Sequence, residues 1–455
     1  MKNKNLIPAA ILSLSSSASI AEVFTVDVLL ASGSNSPAAA LKETANAIYT
    51  SLRDYTGTPT QAQTDLLAVF DYILNTADIT DPLVATAVAN AYNEMSPKRN
   101  GSSAIVTRKS PSTIPVKGIG KRLSALRNST RRFNYLGSTQ SPRNSGNYNL
   151  TPGLIKYNTD PALESGGLLD QRLSGFVTTN AIFSKQSDTL SEAGFKGNTQ
   201  QLTLGADYRI NNKTFFGSAY SYTNGNMDMT QGGDLGNTAN TILLYTTHSL
   251  SNQWYADASI NIGKRNFEME RSVTFNLTPT VQANSIANSK PEGSYYGFSL
   301  STGYDKTWNN GHSISLLGSF HFTKSNIDAF TETGNNAYNL AVSKQIINSK
   351  MIDLGIEWRQ AISVSFGVLV PQLSLKWTQE LKDNGDLITA YFVADPDKNS
   401  LSFQTGNKDQ GYMNMLLGVT VVLPKGLAGF AQYETQQFID DYQQSMISIG
   451  ARKEF

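Results

Sequence analysis

Leu202-Thr203-Leu204-Gly205-Ala206-Asp207-Tyr208-Arg209-Ile210 is the stretch that decides the fold class. Leu202, Leu204, Ala206, Tyr208 and Ile210 share one parity, and Thr203, Gly205, Asp207 and Arg209 share the other. A period of two belongs to a strand with one apolar and one polar face. The pattern returns at Ala256, Ala258, Ile260 and Ile262 against Asp257, Ser259, Asn261 and Gly263, and again at Ile314, Leu316, Phe320 and Phe322. It recurs at Ile352, Leu354, Ile356 and Trp358 against Asp353, Glu357 and Arg359, and runs over 172–455.

Such strands suit a soluble sandwich or a membrane barrel, and the joints separate the two. Tight turn chemistry occurs at Asn211-Asn212, Ser251-Asn252, Asn309-Asn310-Gly311, Ser363 to Ser365, and Pro424-Lys425-Gly426. Between them fall longer polar stretches at 186–194, 225–237, 270–292, 328–347 and 383–411, then a shorter one at 438–443. This alternation of short and long connections is that of a membrane barrel with a short-turn rim and a long-loop rim. The pattern predicts an all-β membrane barrel of about twelve antiparallel strands, an even number with both ends on the short-turn side.

The polar parity carries charge. Asp207, Arg209, Glu357, Arg359, Lys376 and Glu380 are the candidate pore-lining residues. A hydrated lumen tolerates them, whereas a soluble core could not bury so many charges unpaired. Pro371 falls within a strand, where it cannot donate to the ladder, and predicts a bulge or a lost hydrogen bond. Closure requires the first strand, from Gly175 and Val177 to Ile182, to pair with the last, from Ile447 and Ile449 to Phe455.

Composition agrees. Hydrophobic residues are 40% and charged residues 16%, with 20 Tyr, 20 Phe and 35 Gly, which suits strands and aromatic girdles. Mean hydropathy of −0.28 disfavours a bundle of apolar membrane helices. A net charge of +1 offers no argument for nucleic acid, and the absence of cysteine excludes disulfides and thiolate metal sites.

Upstream, residues 1–21 read as a signal peptide. Lys2 and Lys4 are its basic part, Leu6 to Leu14 its apolar core, and Ser19-Ile20-Ala21 a small-x-small cleavage site. Residues 22–96 read as a small helical module. Ser36-Pro37, Thr58-Pro59 and Asp81-Pro82 are start signals, and Leu41, Ala45, Ile48 and Leu52 form the first of three apolar stripes. Residues 97–171 form a basic, Ser- and Gly-rich linker, with helical spacing at Ile119, Leu123 and Leu126. Within it, 154–171 is expected to thread or plug the pore.

No catalytic, cofactor-binding or metal site is expected. His312 sits by a tight turn, which disfavours pairing with a nucleophile in a shared pocket, and His248 and His321 lie near or within strands, where a solvent- or lumen-facing histidine is the ordinary outcome. Asp395-Pro396-Asp397 and Asp440-Asp441 offer carboxylates for Ca²⁺ but read better as polar loop tips. Gly166-Gly167 and Gly232-Gly233 lack the lysine spacing of a phosphate loop.

The barrel region also resembles the C-terminal translocator of autotransporters, the type V secretion proteins of Gram-negative bacteria. The resemblance rests on Gly175-Phe176-Val177, Gly194 to Arg209, Trp254-Tyr255-Ala256-Asp257, Asp328 to Gly334, Gly367 to Gln372, and the closing hairpin Gly426 to Thr435 with Ile447 to Phe455. It implies a barrel in outer-membrane lipid, inserted by the barrel-assembly machinery through a signal ending in Phe455. It also implies a lumen threaded by the chain's own N-terminal segment during export of a passenger. The chain departs from the family at Lys453, where an aromatic or apolar residue is usual, and in having roughly 150 residues between signal and barrel. The alternative is a non-exporting barrel whose loops 270–292, 328–347 and 383–411 bind an external partner of unknown identity.

Overall fold

The computed structural model describes residues 36–98, 172–334, 336–381, 386–405 and 411–455. The expected signal peptide, the helix around Leu123 and the pore-threading stretch 154–171 lie outside the described residues.

The period-two segments form strands β1 (Leu173–Gln186), β2 (Phe195–Asn211), β3 (Thr214–Met229), β4 (Asp234–Ser249), β5 (Trp254–Thr278), β6 (Val281–Ser289), β7 (Glu292–Thr307) and β8 (His312–Ile327). The short β9 (Phe330–Thr331) and β10 (Leu340–Val342) precede β11 (Gln345–Gln360), β12 (Ile362–Val364) and β13 (Gly367–Glu380). The series ends with β14 (Leu387–Phe392), β15 (Leu401–Gln404), β16 (Gly411–Val422), β17 (Leu427–Gln437) and β18 (Tyr442–Glu454).

Twelve of these close into one antiparallel ring: β1 to β5, β7, β8, β11, β13 and β16 to β18. The closing ladder pairs Gly175 with Lys453, Val177 with Ala451, Thr179 with Ile449 and Ala181 with Ile447. The Phe455 amide donates to the Leu173 carbonyl at 2.9 Å, so the chain's last residue seals the seam. Closure leaves no edge with unpaired backbone groups, each of which would cost several kcal/mol in lipid. Both ends of the barrel lie at the short-turn rim.

The parity seen in the sequence sorts the faces. Leu204 is 50% exposed on the outside, whereas Thr203 is 6% exposed and faces in. Following the ladders once around the ring advances the register by a shear of about fourteen residues toward the long-loop rim, a strand tilt of about 40°. Inside, Tyr245 lies flat over Gly217, where any Cβ would overlap its ring, and its hydroxyl donates to Asp207.

Pro371 produces a lost hydrogen bond and not a bulge. The ladder to β13 stops at Arg359–Gln372 and resumes in unchanged register at Ile362–Leu369. The turn expected at Ser363 to Ser365 falls instead at Ser365-Phe366, because β12 continues the hairpin to Val364.

The long connections are more ordered than their polarity suggested. Of 225–237, only 230–233 is turn. Of 270–292, nearly all is the hairpin of β5 and β6 standing above the ring. Alternation persists there, with Val273 and Phe275 buried beside exposed Asn276. Strands β9 and β10 from 328–347 and β14 and β15 from 383–411 form a second, four-stranded sheet.

Among the described residues three α-helices precede the barrel: α1 (Pro37–Arg53), α2 (Gln61–Asp71), continued by a π-helical turn over Tyr72–Thr76, and α3 (Pro82–Met95). Ser36 and Asp81 cap α1 and α3 ahead of a first-turn proline, as the spacing predicts. The start of α2 differs from Thr58-Pro59. Thr60 and Gln63 form a reciprocal capping box, which satisfies two amides and sets the start after Pro59.

Candidate functional site: the docked module and the barrel interior

The helical module sits on the long-loop rim, where its helices pack on one another and on the barrel's outer strands. Leu41, Ile48, Leu66, Phe70, Val88 and Met95 share one buried cluster with Ile388, Phe392, Leu401 and Phe403 of the second sheet and Val273 and Phe275 of β5. Phe70 meets Phe392 edge-on, with ring centroids 6.2 Å apart. A helical core of this size is marginal alone, and the barrel's outer strands complete it.

Polar contacts fix the seat. Arg271 of β5 grips Glu332 with two hydrogen bonds, Nε to Oε1 at 2.9 Å and Nη2 to Oε2 at 2.7 Å. It also donates to the Tyr338 carbonyl at 2.7 Å and to the Glu94 carbonyl of α3 at 3.1 Å. Glu94 in turn accepts the Thr274 amide at 3.2 Å. Arg271 and Glu332 are both buried, so this fork joins barrel, outer sheet and module in a water-poor site where a charge needs its partner. At the other end of the module, Ser51 of α1 donates to Asp395 at 2.6 Å. Asp395 also takes the Asn399 amide at 2.6 Å. The Asp395-Pro396-Asp397 turn is thus a latch for α1.

Burial in this seat pushes the Tyr92 and Tyr338 hydroxyls up to about 12, with Asp65 adding to the effect at Tyr338. Both phenols are held protonated relative to the released state. Their stabilisation is complete below the ordinary phenol value of about 10 and is lost as pH rises toward 12. Proteolysis of the module in detergent is therefore expected to accelerate above pH 10 while the barrel stays folded. A flat profile from pH 8 to 12 would contradict this.

The candidate pore-lining residues all lie on the inward parity. Asp207 accepts from Ser174 at 3.0 Å, and Arg209 lies over the Phe215 ring at 5.6 Å. Arg359 pairs with Glu357 at 3.1 Å and Asp305 at 3.8 Å, and donates to Ser315 at 2.8 Å. Lys376 pairs with Asp353 at 3.1 Å, and Glu380 accepts from Ser349 at 3.3 Å. Of the six, Glu357 and Arg359 pair directly with each other, and the rest make their contacts elsewhere on the wall.

His321 joins the Lys376 network, bridging Ser299 through Nδ1 at 2.7 Å and Asp353 through Nε2 at 3.1 Å. This Ser299–His321–Asp353 chain, with Lys376 on Asp353, lies in the barrel wall. His248 contacts Thr214 and His312 contacts Trp358. Arg271, Glu332 and Ser51 escaped the sequence reading because their partners are remote in the chain. The one available signal was Arg271 on the same parity as Met269, Val273 and Phe275.

Comparison with known proteins agrees with this geometry. The autotransporter beta-domain family model matches residues 175–434. The translocator domain of autotransporter NalP from Neisseria meningitidis is 16% identical, with a TM-score of 0.51 over 65% of this chain and 92% of that one. The beta domain of the Bordetella autotransporter BrkA is also 16% identical, with a TM-score of 0.47 over 62% of this chain and 100% of that one. No curated protein matches the chain. With the family matched over more than half its length and the twelve-stranded ring closed through Phe455, the chain belongs to the autotransporter beta-domain family, outer-membrane translocator barrels of Gram-negative bacteria.

Proposed function

We propose that this barrel exports its own helical module and then holds it at the cell surface as a docked cap. The observation that carries this reading is positional. Just past the module, Lys98 is buried beside Asp188 of the long-loop rim at 4.0 Å, whereas the barrel begins at Arg172, whose carbonyl accepts the Arg209 amide at the short-turn rim. The covalent chain 99–171 therefore joins one rim to the other. Inside a bilayer, a route through the hydrated lumen avoids exposing irregular backbone to lipid. On this reading Asp207, Arg209, Glu357, Arg359, Lys376 and Glu380 line the path, residues 1–21 direct secretion, and the Ile447 to Phe455 strand is read by the barrel-assembly machinery. The alternative of external binding through the three long connections draws less support, because their apolar faces are covered by the module.

The test is an epitope tag at Gly33, probed with antibody on intact cells alongside a periplasmic control. Surface labelling is expected. A barrel that is heat-modifiable in outer-membrane fractions but labels only after permeabilisation would overturn the proposal.

A further inference from the structure

Lys264 of β5, Lys324 of β8 and Lys350 of β11 occupy the outward parity, and among the described residues none has an acidic partner within salt-bridge distance. Other outward lysines nearby are paired, Lys290 with Glu268 at 3.0 Å and Lys344 with Asp328 at 3.7 Å. Among the described residues, the outward carboxylate of Glu292 lies a row above Lys264 on β7.

The tilt of the strands brings the three lysines to one height. From Lys264 the ladder runs through Ser294 and Asn326 to Ile346. Lys324 lies two residues below Asn326 on ascending β8, and Lys350 four residues below Ile346 on descending β11. A level line falls by just over one residue per strand at this shear, so it drops about two residues by β8 and between three and four by β11. With roughly 6 Å between neighbouring strands along that line, the three form one arc.

The arc lies at the outer boundary of the apolar band. Lys324 stands opposite Tyr296, and Lys350 opposite Phe322. Tyr296 and Phe322 are 6.3 Å apart, and Phe298 packs on Phe322 at 5.5 Å. Aromatic side chains of this kind mark the membrane–water interface, and lysines there extend their ammonium groups to headgroup level.

We propose that Lys264, Lys324 and Lys350 form a binding site for the phosphate groups of an outer-leaflet lipid, with the acyl chains lying along the aromatic face below. A free inorganic anion would gain nothing from that face, so the lipid is the occupant. The experiment uses the full chain folded in neutral detergent and two probes, bis-phosphorylated lipid A and the same lipid A with both phosphates removed. The wild type is expected to bind the phosphorylated lipid more tightly, with the preference weakening as salt rises. The variant Lys264→Gln/Lys324→Gln/Lys350→Gln should lose at least about tenfold in affinity, given about fivefold per lysine. Lys290→Gln should bind as the wild type does. Heat-modifiability reports folding, and Lys324→Gln alone should give a partial loss if the triple variant does not fold. Equal binding of the two lipids, no binding by the wild type, or unchanged binding by the folded lysine variant would overturn the proposal.

Discussion

Replacing Arg271 with alanine is expected to release the helical module while leaving the barrel closed. The guanidinium is buried and is the partner of buried Glu332, and its remaining bonds reach Tyr338 and Glu94. Removing one member of such a pair strands the other charge, at a cost of about 3–5 kcal/mol. That is comparable to the stability a core of this size supplies. The module should become protease-sensitive in the folded, heat-modifiable protein, where the wild type resists digestion. Replacing both partners with apolar residues, Arg271→Met with Glu332→Leu, should restore much of the protection, because no charge is then left buried. Wild-type resistance in Arg271→Ala would show that the apolar cluster alone holds the seat.

Gly217→Val should block barrel assembly. A side chain there would occupy the space of the Tyr245 ring, and displacing that ring would free Asp207 from its hydroxyl. Overpacking of this kind costs about 1–3 kcal/mol in a well-packed interior, and a lost buried hydrogen bond to a charge costs about the same again. The expected result is loss of the heat-resistant folded band. Adding Tyr245→Ala should recover folding by vacating the space, although Asp207 then keeps only its Ser174 contact among those described above. Normal folding of the single variant would place the tight fit elsewhere than at this pair.

The barrel was legible because its signal is local and repeated. Each strand spells its own faces, as at Leu202 to Ile210, and each short turn marks a rim. The ordered outer strands were less legible: 270–292 is polar enough to read as a loop, although Val273 and Phe275 kept the strand period. The start of α2 was misplaced because Pro59 is a strong cue and the Thr60–Gln63 box a quieter one. The seat of the module was not legible at all. Arg271 and Glu332 are joined over 61 positions and Ser51 and Asp395 over 344, and no periodicity links residues so far apart.

By itself the sequence determined the alternation, the turn chemistry, the terminal seam and the apolar stripes of three helices, all of which follow from backbone geometry over a few neighbouring residues. Only the tertiary structure decided that those stripes are buried by the barrel's own outer strands, and that three separate lysines stand level. Both depend on register and tilt summed around a closed ring, which no single segment contains.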